Sequence, residues 1–124
     1  MAKKIYSYRF SSFINASQRM EWGDHVGERY PHTWQVECTV VKNDNDEFML
    51  FSDIEASIGT VLDSFQNTYL NDLAEFQGKV PTTENLAELL FKRISEVLKD
   101  KNCHLKKIMV GESPTRQFSI EISD

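Results

Sequence analysis

The sequence predicts an α+β domain, and three observations carry that reading. Tyr6, Tyr8 and Phe10, and again Trp34, Val36, Cys38 and Val40, alternate with polar residues at the period of two that a half-buried strand requires. Two later stretches carry apolar residues at three- and four-residue spacing, the period of a helix with one buried face. Two short apolar alternations, Ile108 to Val110 and then Phe118, Ile120 and Ile122, return to strand. The order is β-β-α-α-β-β, which implies a four-stranded antiparallel sheet with two helices packed on one face.

Between the first two strands lies a polar connection from Asn15 to Pro31, carrying Trp22, Gly23, His25, Gly27 and Tyr30. It is longer than a hairpin needs, and long connections in compact domains often carry sites. Cys38 falls on the apolar face of its strand and is expected in the core. Asn43-Asp44-Asn45-Asp46 reads as a solvent-facing turn, because its acidic spacing lacks the glycine and terminal glutamate of a calcium loop. A first helix starts at Asp53 and carries Ile54, Ile58, Val61, Leu62 and Phe65, ending before a Gln66 to Gln77 connection. In the next segment Pro81 stops the preceding chain and Thr82 is the N-cap of a helix covering roughly 82 to 99. Glu84 sits in its first turn, where the helix dipole favours a carboxylate, and Leu86, Leu89, Leu90, Ile94, Val97 and Leu98 form its apolar stripe. Cys103 and His104 lie at the helix-to-strand junction, where boundary packing is expected, and Gly111-Glu112-Ser113-Pro114 suits a turn or bulge.

A length of 124 residues with 40% hydrophobic content suits one packed domain spanning the chain, and no run is long enough to cross a bilayer. Met1-Ala2-Lys3-Lys4 leads into the first strand without an apolar signal region, so the expected address is cytoplasmic. With a net charge of -5 and basic residues scattered in short pairs, nucleic acid is not an expected partner. The two cysteines have no CxxC spacing, which argues against a redox motif or thiolate zinc site. Phosphate loops, the nucleophile elbow and HExxH are absent from the sequence.

Pro81-Thr82-Thr83-Glu84-Asn85-Leu86-Ala87, following Tyr69-Leu70-Asn71-Asp72, resembles the centre of the 6-pyruvoyl-tetrahydropterin synthase family, which includes 6-carboxytetrahydropterin synthases. With the same element order and the long first connection, the resemblance runs nearly end to end. It implies the tunnelling fold, in which subunits assemble into rings whose sheets join as a barrel, commonly a hexamer of two trimers with sites at subunit interfaces. An open sheet with exposed edges has a physical motive to close in this way. A homo-oligomer and a pterin-like small molecule are therefore the implied partners.

The same resemblance assigns site positions. The family's first zinc histidine lies in a segment of the type Ala-Ser-His-Arg-Leu, matched here by Ala16-Ser17-Gln18-Arg19-Met20. Its other two come from a Gly-His-Gly-His segment, matched by Arg29-Tyr30-Pro31-His32. The metal positions thus hold Gln18, Tyr30 and His32, a set from which the usual three-imidazole site cannot be built. The family's catalytic cysteine corresponds to Val26 and its Asp-His pair to Gln66-Asn67, none of which relays a proton near neutrality. The ring-binding glutamate corresponds to Glu112, whose carboxylate can accept two parallel hydrogen bonds from an amino-pyrimidinone edge. No cofactor is expected, zinc being possible only with rearranged ligands, His25 and His32 together with Glu21, Asp24 or Glu28. Trp22, Tyr30 and Trp34 suit either stacking on a flat heterocycle or anchoring the core.

These readings imply a degenerate member of the family that has lost zinc-dependent chemistry and serves as a pterin- or purine-like ligand-binding or assembly module. The alternative is a divergent lyase or synthase acting on a pterin or related triphosphate through the rearranged metal site. A third reading is purely structural, with Glu112 solvated and the oligomer a platform for other proteins.

Overall fold

A computed structural model describes residues 2–123. Its elements are β1 (Ser7–Gln18), β2 (Glu21–Trp22), β3 (His25–Val26), β4 (Tyr30–Lys42), α1 (Phe51–Asp63), α2 (Thr83–Leu98), β5 (Cys103–Ser113) and β6 (Arg116–Glu121). The antiparallel sheet has the order β1-β4-β5-β6, with the two helices packed on one face, as the pattern predicts.

The first two strands are longer than their apolar alternation. β1 pairs with β4 without interruption from Ser7 opposite Val41 to Gln18 opposite Tyr30. Residues 15–18 and 30–31, expected in the long connection, are therefore strand. Only the chain between Gln18 and Tyr30 leaves the sheet, and it contains a separate small hairpin, β2 with β3. Gly23 opens that hairpin's turn at φ +59°, a conformation glycine adopts without steric cost. Trp22 is exposed on the hairpin, so it anchors no core.

At the other side of the sheet, β5 begins at Cys103, ahead of the Ile108 to Val110 run. A bulge explains the difference, because Thr39 pairs with Lys107 while its neighbour Val40 pairs with Leu105. The extra residue, Lys106, breaks the period-two signal between the buried Cys103 and Leu105 and the buried Ile108 and Val110. Tyr6 and Ile122 fall outside the strands.

α1 starts at Phe51 and stops at Asp63, so Phe65 is buried in the following turn and not in the helix. α2 is capped as expected, with the Thr82 hydroxyl accepting from the Asn85 amide at 3.0 Å. Its buried stripe, Leu86, Ala87, Leu90, Ile94 and Leu98, packs with Ile54, Ile58 and Leu62 of α1 and with Ile14, Trp34, Val36, Val40, Leu105, Ile108 and Val110 of the sheet. Each of the leucine, isoleucine and valine side chains so removed from water contributes about 1.5–3 kcal/mol. The opposite sheet face is polar, with an Arg9–Glu37 ion pair and a Gln35–Ser11 hydrogen bond. Asn43–Asp46 is an exposed turn in which Asp44 accepts from the Asp46 amide at 3.0 Å. Among the described residues, no helix is long and apolar enough to cross a membrane.

The connection between the helices is laid against the outer edge of β1. Ser17 donates its amide to the Thr68 carbonyl at 2.9 Å. Gln66 accepts from the Asn15 amide and donates to the Phe13 carbonyl, while Asn71 accepts from the Arg19 amide and donates to the Arg19 carbonyl. These side chains occupy backbone groups that an edge strand leaves unpaired, and they hold the end of β1 in place.

Candidate functional site

The pleat of β1 and β4 assembles the site. Gln18 and Tyr30 are directly opposed, His32 faces Ala16, and Ile14 faces Trp34, so Gln18, Tyr30, His32 and Trp34 all project toward the helix layer. Gln18 is 4% exposed and donates from Nε2 to the Tyr30 hydroxyl at 2.9 Å. The His32 ring lies edge-on to Trp34, with centroids 4.5 Å apart, and to Tyr30 at 6.3 Å. Gln18 Oε1 and His32 Nε2 are buried without a hydrogen-bond partner.

This donor set does not fit zinc. A carboxamide and a phenol already bonded to each other stand where imidazole, thiolate or carboxylate ligands would be needed. The rearranged set is not brought together either. His25 stacks on Trp22 in the exposed hairpin with centroids 4.3 Å apart, and among the described residues no three His, Cys, Asp or Glu side chains converge as a metal ion requires.

A cleft of about 530 Å³ opens beside His32, lined by Asn15, Ala16, Ser17, Pro31, His32, Thr33, Asn67 and Thr68. His32 is the single titratable side chain of that lining. Asn67 holds a left-handed backbone, φ +59°, and donates its amide to the Asn15 carbonyl at 2.6 Å. Gln66 is spent on the β1 backbone, and Val26 is exposed on the hairpin. Arg29 donates from Nε to the hydroxyl of the lining residue Ser17 at 3.0 Å, with its guanidinium 4.4 Å from the Tyr69 ring centroid. The cleft can therefore donate and accept hydrogen bonds, but it offers no carboxylate or thiol to move a proton.

Glu112 is placed by a bulge, since the β5–β6 register shifts between Gly111 and Ser113. Its Oε1 accepts from the Thr83 hydroxyl at 2.9 Å, and Thr83 in turn accepts from the Trp34 indole N–H at 3.4 Å. Its Oε2 is 3.8 Å from the mostly exposed Arg116 guanidinium. A continuous row of contacts thus runs from Gln18 through Tyr30, His32 and Trp34 to Thr83 and Glu112. Sequence reasoning gave Thr82 the N-cap role it has but assigned none to Thr83. The signal was available, since Thr83 is in step with the buried Leu86, Ala87 and Leu90 and so faces inward.

The two cysteines lie elsewhere in the interior. Burial pushes the Cys38 thiol up to about 12, with the Glu37 charge adding to the effect. Burial also raises Cys103, against an opposing contribution from Lys101. Both are inert as nucleophiles near neutrality.

Comparison with known proteins agrees with this architecture. A 6-pyruvoyl tetrahydropterin synthase from Caenorhabditis elegans superposes with a TM-score of 0.71 at 20% identity, covering 97% of each chain. The enzyme of that name from Plasmodium vivax gives 0.74 at 11% identity, covering 97% of this chain and all of its own. An uncharacterized protein from Wolinella succinogenes gives 0.66 at 12% identity, covering 98% of this chain. At such identities the superpositions speak to the fold alone. No curated protein matches the sequence. The model of the 6-pyruvoyl tetrahydropterin synthase family matches residues 8–122, nearly the whole chain. The chain belongs to the 6-pyruvoyl tetrahydropterin synthase family.

Proposed function

We propose that this protein is a degenerate member of its family, without the usual zinc-dependent activity, that binds a pterin- or purine-like ring through Glu112 within a homo-oligomer. The observation that carries the proposal is the contrast between the two ends of the row. At one end Gln18 and Tyr30 are neutral and bonded to each other. At the other, Glu112 keeps a carboxylate oriented by Thr83 through one oxygen, with lone pairs left to accept from the amino and ring N–H of an amino-pyrimidinone. With no carboxylate or thiol in the cleft lining to pair with the His32 imidazole, the cleft supports binding over proton transfer. The outer edge of β6 and the part of the β1 edge before Phe13, clear of the connection between the helices, support ring closure between copies, and a hexamer is the assembly proposed.

Calorimetric titration with neopterin and with guanosine, on the parent and on Glu112→Gln, tests the reading alongside a turnover assay with a dihydropterin triphosphate. Saturable binding by the parent, at least about tenfold weaker in the variant, with no turnover, is the expected result; about 1.4 kcal/mol accompanies each factor of ten. Absence of binding to either ring would leave only the structural platform. Turnover dependent on stoichiometric zinc, lost in His32→Ala, would establish the divergent lyase or synthase instead.

A further inference from the structure

A groove of about 160 Å³ runs between α1 and the β1–β4 pair, apart from the row that ends at Glu112. On β1, Ser12 takes the helix-facing side between Phe10 and Ile14; both of those are buried, yet Ser12 is exposed. Facing it, α1 presents Glu55, Ile58, Gly59 and Leu62, the spacing that lines one side of a helix. Helix and strand therefore meet there through a serine and a glycine, and a gap is left between them. A Cβ on Gly59 would meet no atom within 4 Å. Glycine in a helix interior is disfavoured against alanine, so neither helix propensity nor lack of room accounts for it.

The floor of this groove is apolar. Cys38 lies opposite Phe10 and Val36 opposite Ser12, and both floor residues are buried, as are Ile58 and Leu62. A buried thiol such as Cys38 packs as a small hydrophobe. The mouth is different, because Glu55 is the single charged side chain of the lining and is exposed. Among the described residues Glu55 has no ion-pair partner, and the Ser12 hydroxyl makes no hydrogen bond. An apolar hollow of about 150 Å³ accommodates one benzene ring. A bare hydrocarbon would leave the carboxylate unused, and a bare cation would gain nothing from the floor. The lining side chains project toward the helix layer, out of the plane in which the β1 edge pairs.

We infer that the groove between α1 and β1 is a binding site for a small arylalkyl amine, with the aromatic ring on the floor of Phe10, Cys38, Ile58 and Leu62 and the ammonium group at Glu55 and Ser12. A pterin- or purine-like ring is the wrong chemistry for it, since the edge of such a heterocycle needs hydrogen-bonding groups that this floor lacks. The inference does not rest on the ring-binding role of Glu112, and the two sites are read by different ligands and different variants.

The experiment is calorimetric titration, with ligand-observed saturation-transfer NMR, using 2-phenylethylamine and its neutral counterpart 2-phenylethanol on the parent, Gly59→Leu, Glu55→Gln and Glu112→Gln. Saturable binding of the amine by the parent, unchanged in Glu112→Gln, is expected. In Gly59→Leu, whose side chain fills the groove, binding should weaken at least about tenfold, and in Glu55→Gln the amine should weaken about threefold, to the level of the alcohol. Because the leucine enters open space and replaces a helix glycine, that variant should melt no lower than the parent. Absence of amine binding by the parent, or binding undiminished in a folded Gly59→Leu, overturns the inference. Equal affinity of the parent for amine and alcohol overturns the assignment of an amine. If Gly59→Leu does not fold, Glu55→Gln decides: loss of the preference for amine over alcohol is expected, and a preference equal to the parent's overturns the site.

Discussion

Thr83 donates its hydroxyl proton to Glu112 at 2.9 Å, so the first residue of α2 fixes a carboxylate on the β5 bulge. The same hydroxyl accepts from the buried Trp34 indole N–H. Thr83→Val keeps the shape and removes both bonds, leaving the indole N–H without its acceptor. A loss of about 1–3 kcal/mol in urea denaturation is expected, with Thr83→Ser close to the parent. Equal stability of the two variants would show that this junction contributes nothing to the fold.

Adjacent in sequence, Thr82 has a separate job that a similar substitution isolates. Thr82→Ala removes the acceptor for the Asn85 amide and should cost about 1 kcal/mol, whereas Thr82→Ser should be nearly silent. Helix-specific hydrogen exchange in the first turn of α2 reads the change directly. Protection there that is unchanged in the alanine variant would refute the capping role.

Asn71 gives the Tyr-Leu-Asn-Asp segment a structural reason. Its carboxamide makes two bonds to the backbone of Arg19, at 2.8 and 2.9 Å, the residue beside Gln18. Asn71→Ala should destabilise by about 1–3 kcal/mol and Asn71→Asp, which cannot donate to the Arg19 carbonyl, by a comparable amount. A thermal melt of both variants checks this, and an aspartate variant as stable as the parent would remove the donor bond from the account.

Cys38 makes alkaline stability testable. Below the ordinary thiol value of about 8.5 both folded and unfolded chains are protonated and pH has no effect through this group. Between there and about 12 the unfolded chain releases its proton while the native thiol keeps it, so stability falls with rising pH through that window. Cys103, also raised, acts in the same direction. Cys38→Ala should lower stability at pH 7, through a lost core contact, yet flatten its decline between pH 8.5 and 11. A decline as steep as the parent's would assign the alkaline loss to other groups.

The elements that the sequence revealed are those whose pattern is local. α2 announced itself through Pro81, Thr82 and a stripe of leucines, and β4 through its alternation from Trp34 to Val40. Residues 15–18 gave little strand signal because Asn15, Ser17 and Gln18 are polar. They are strand because Tyr30 to Thr33 pair with them and because Thr68 and Asn71 occupy their outer edge. The start of β5 was hidden by one bulged lysine, which shifted the phase of the pattern. Likeness to the family picked out Gln18, Tyr30, His32 and Glu112, yet the Thr83 link between Trp34 and Glu112 was not read.

By itself the sequence determined the α+β order and the capped second helix, because each is written in residues close along the chain, and likeness to the family drew attention to the neutral side chains Gln18 and Tyr30. Only the tertiary structure decided that those two neutral groups bond to each other, that Thr83 turns inward to hold Glu112, and that His25 stays apart in its hairpin. Cross-strand register and helix-to-sheet packing join residues far apart in the chain, and a hydrogen bond depends on separations of a few tenths of an ångström that no local periodicity encodes.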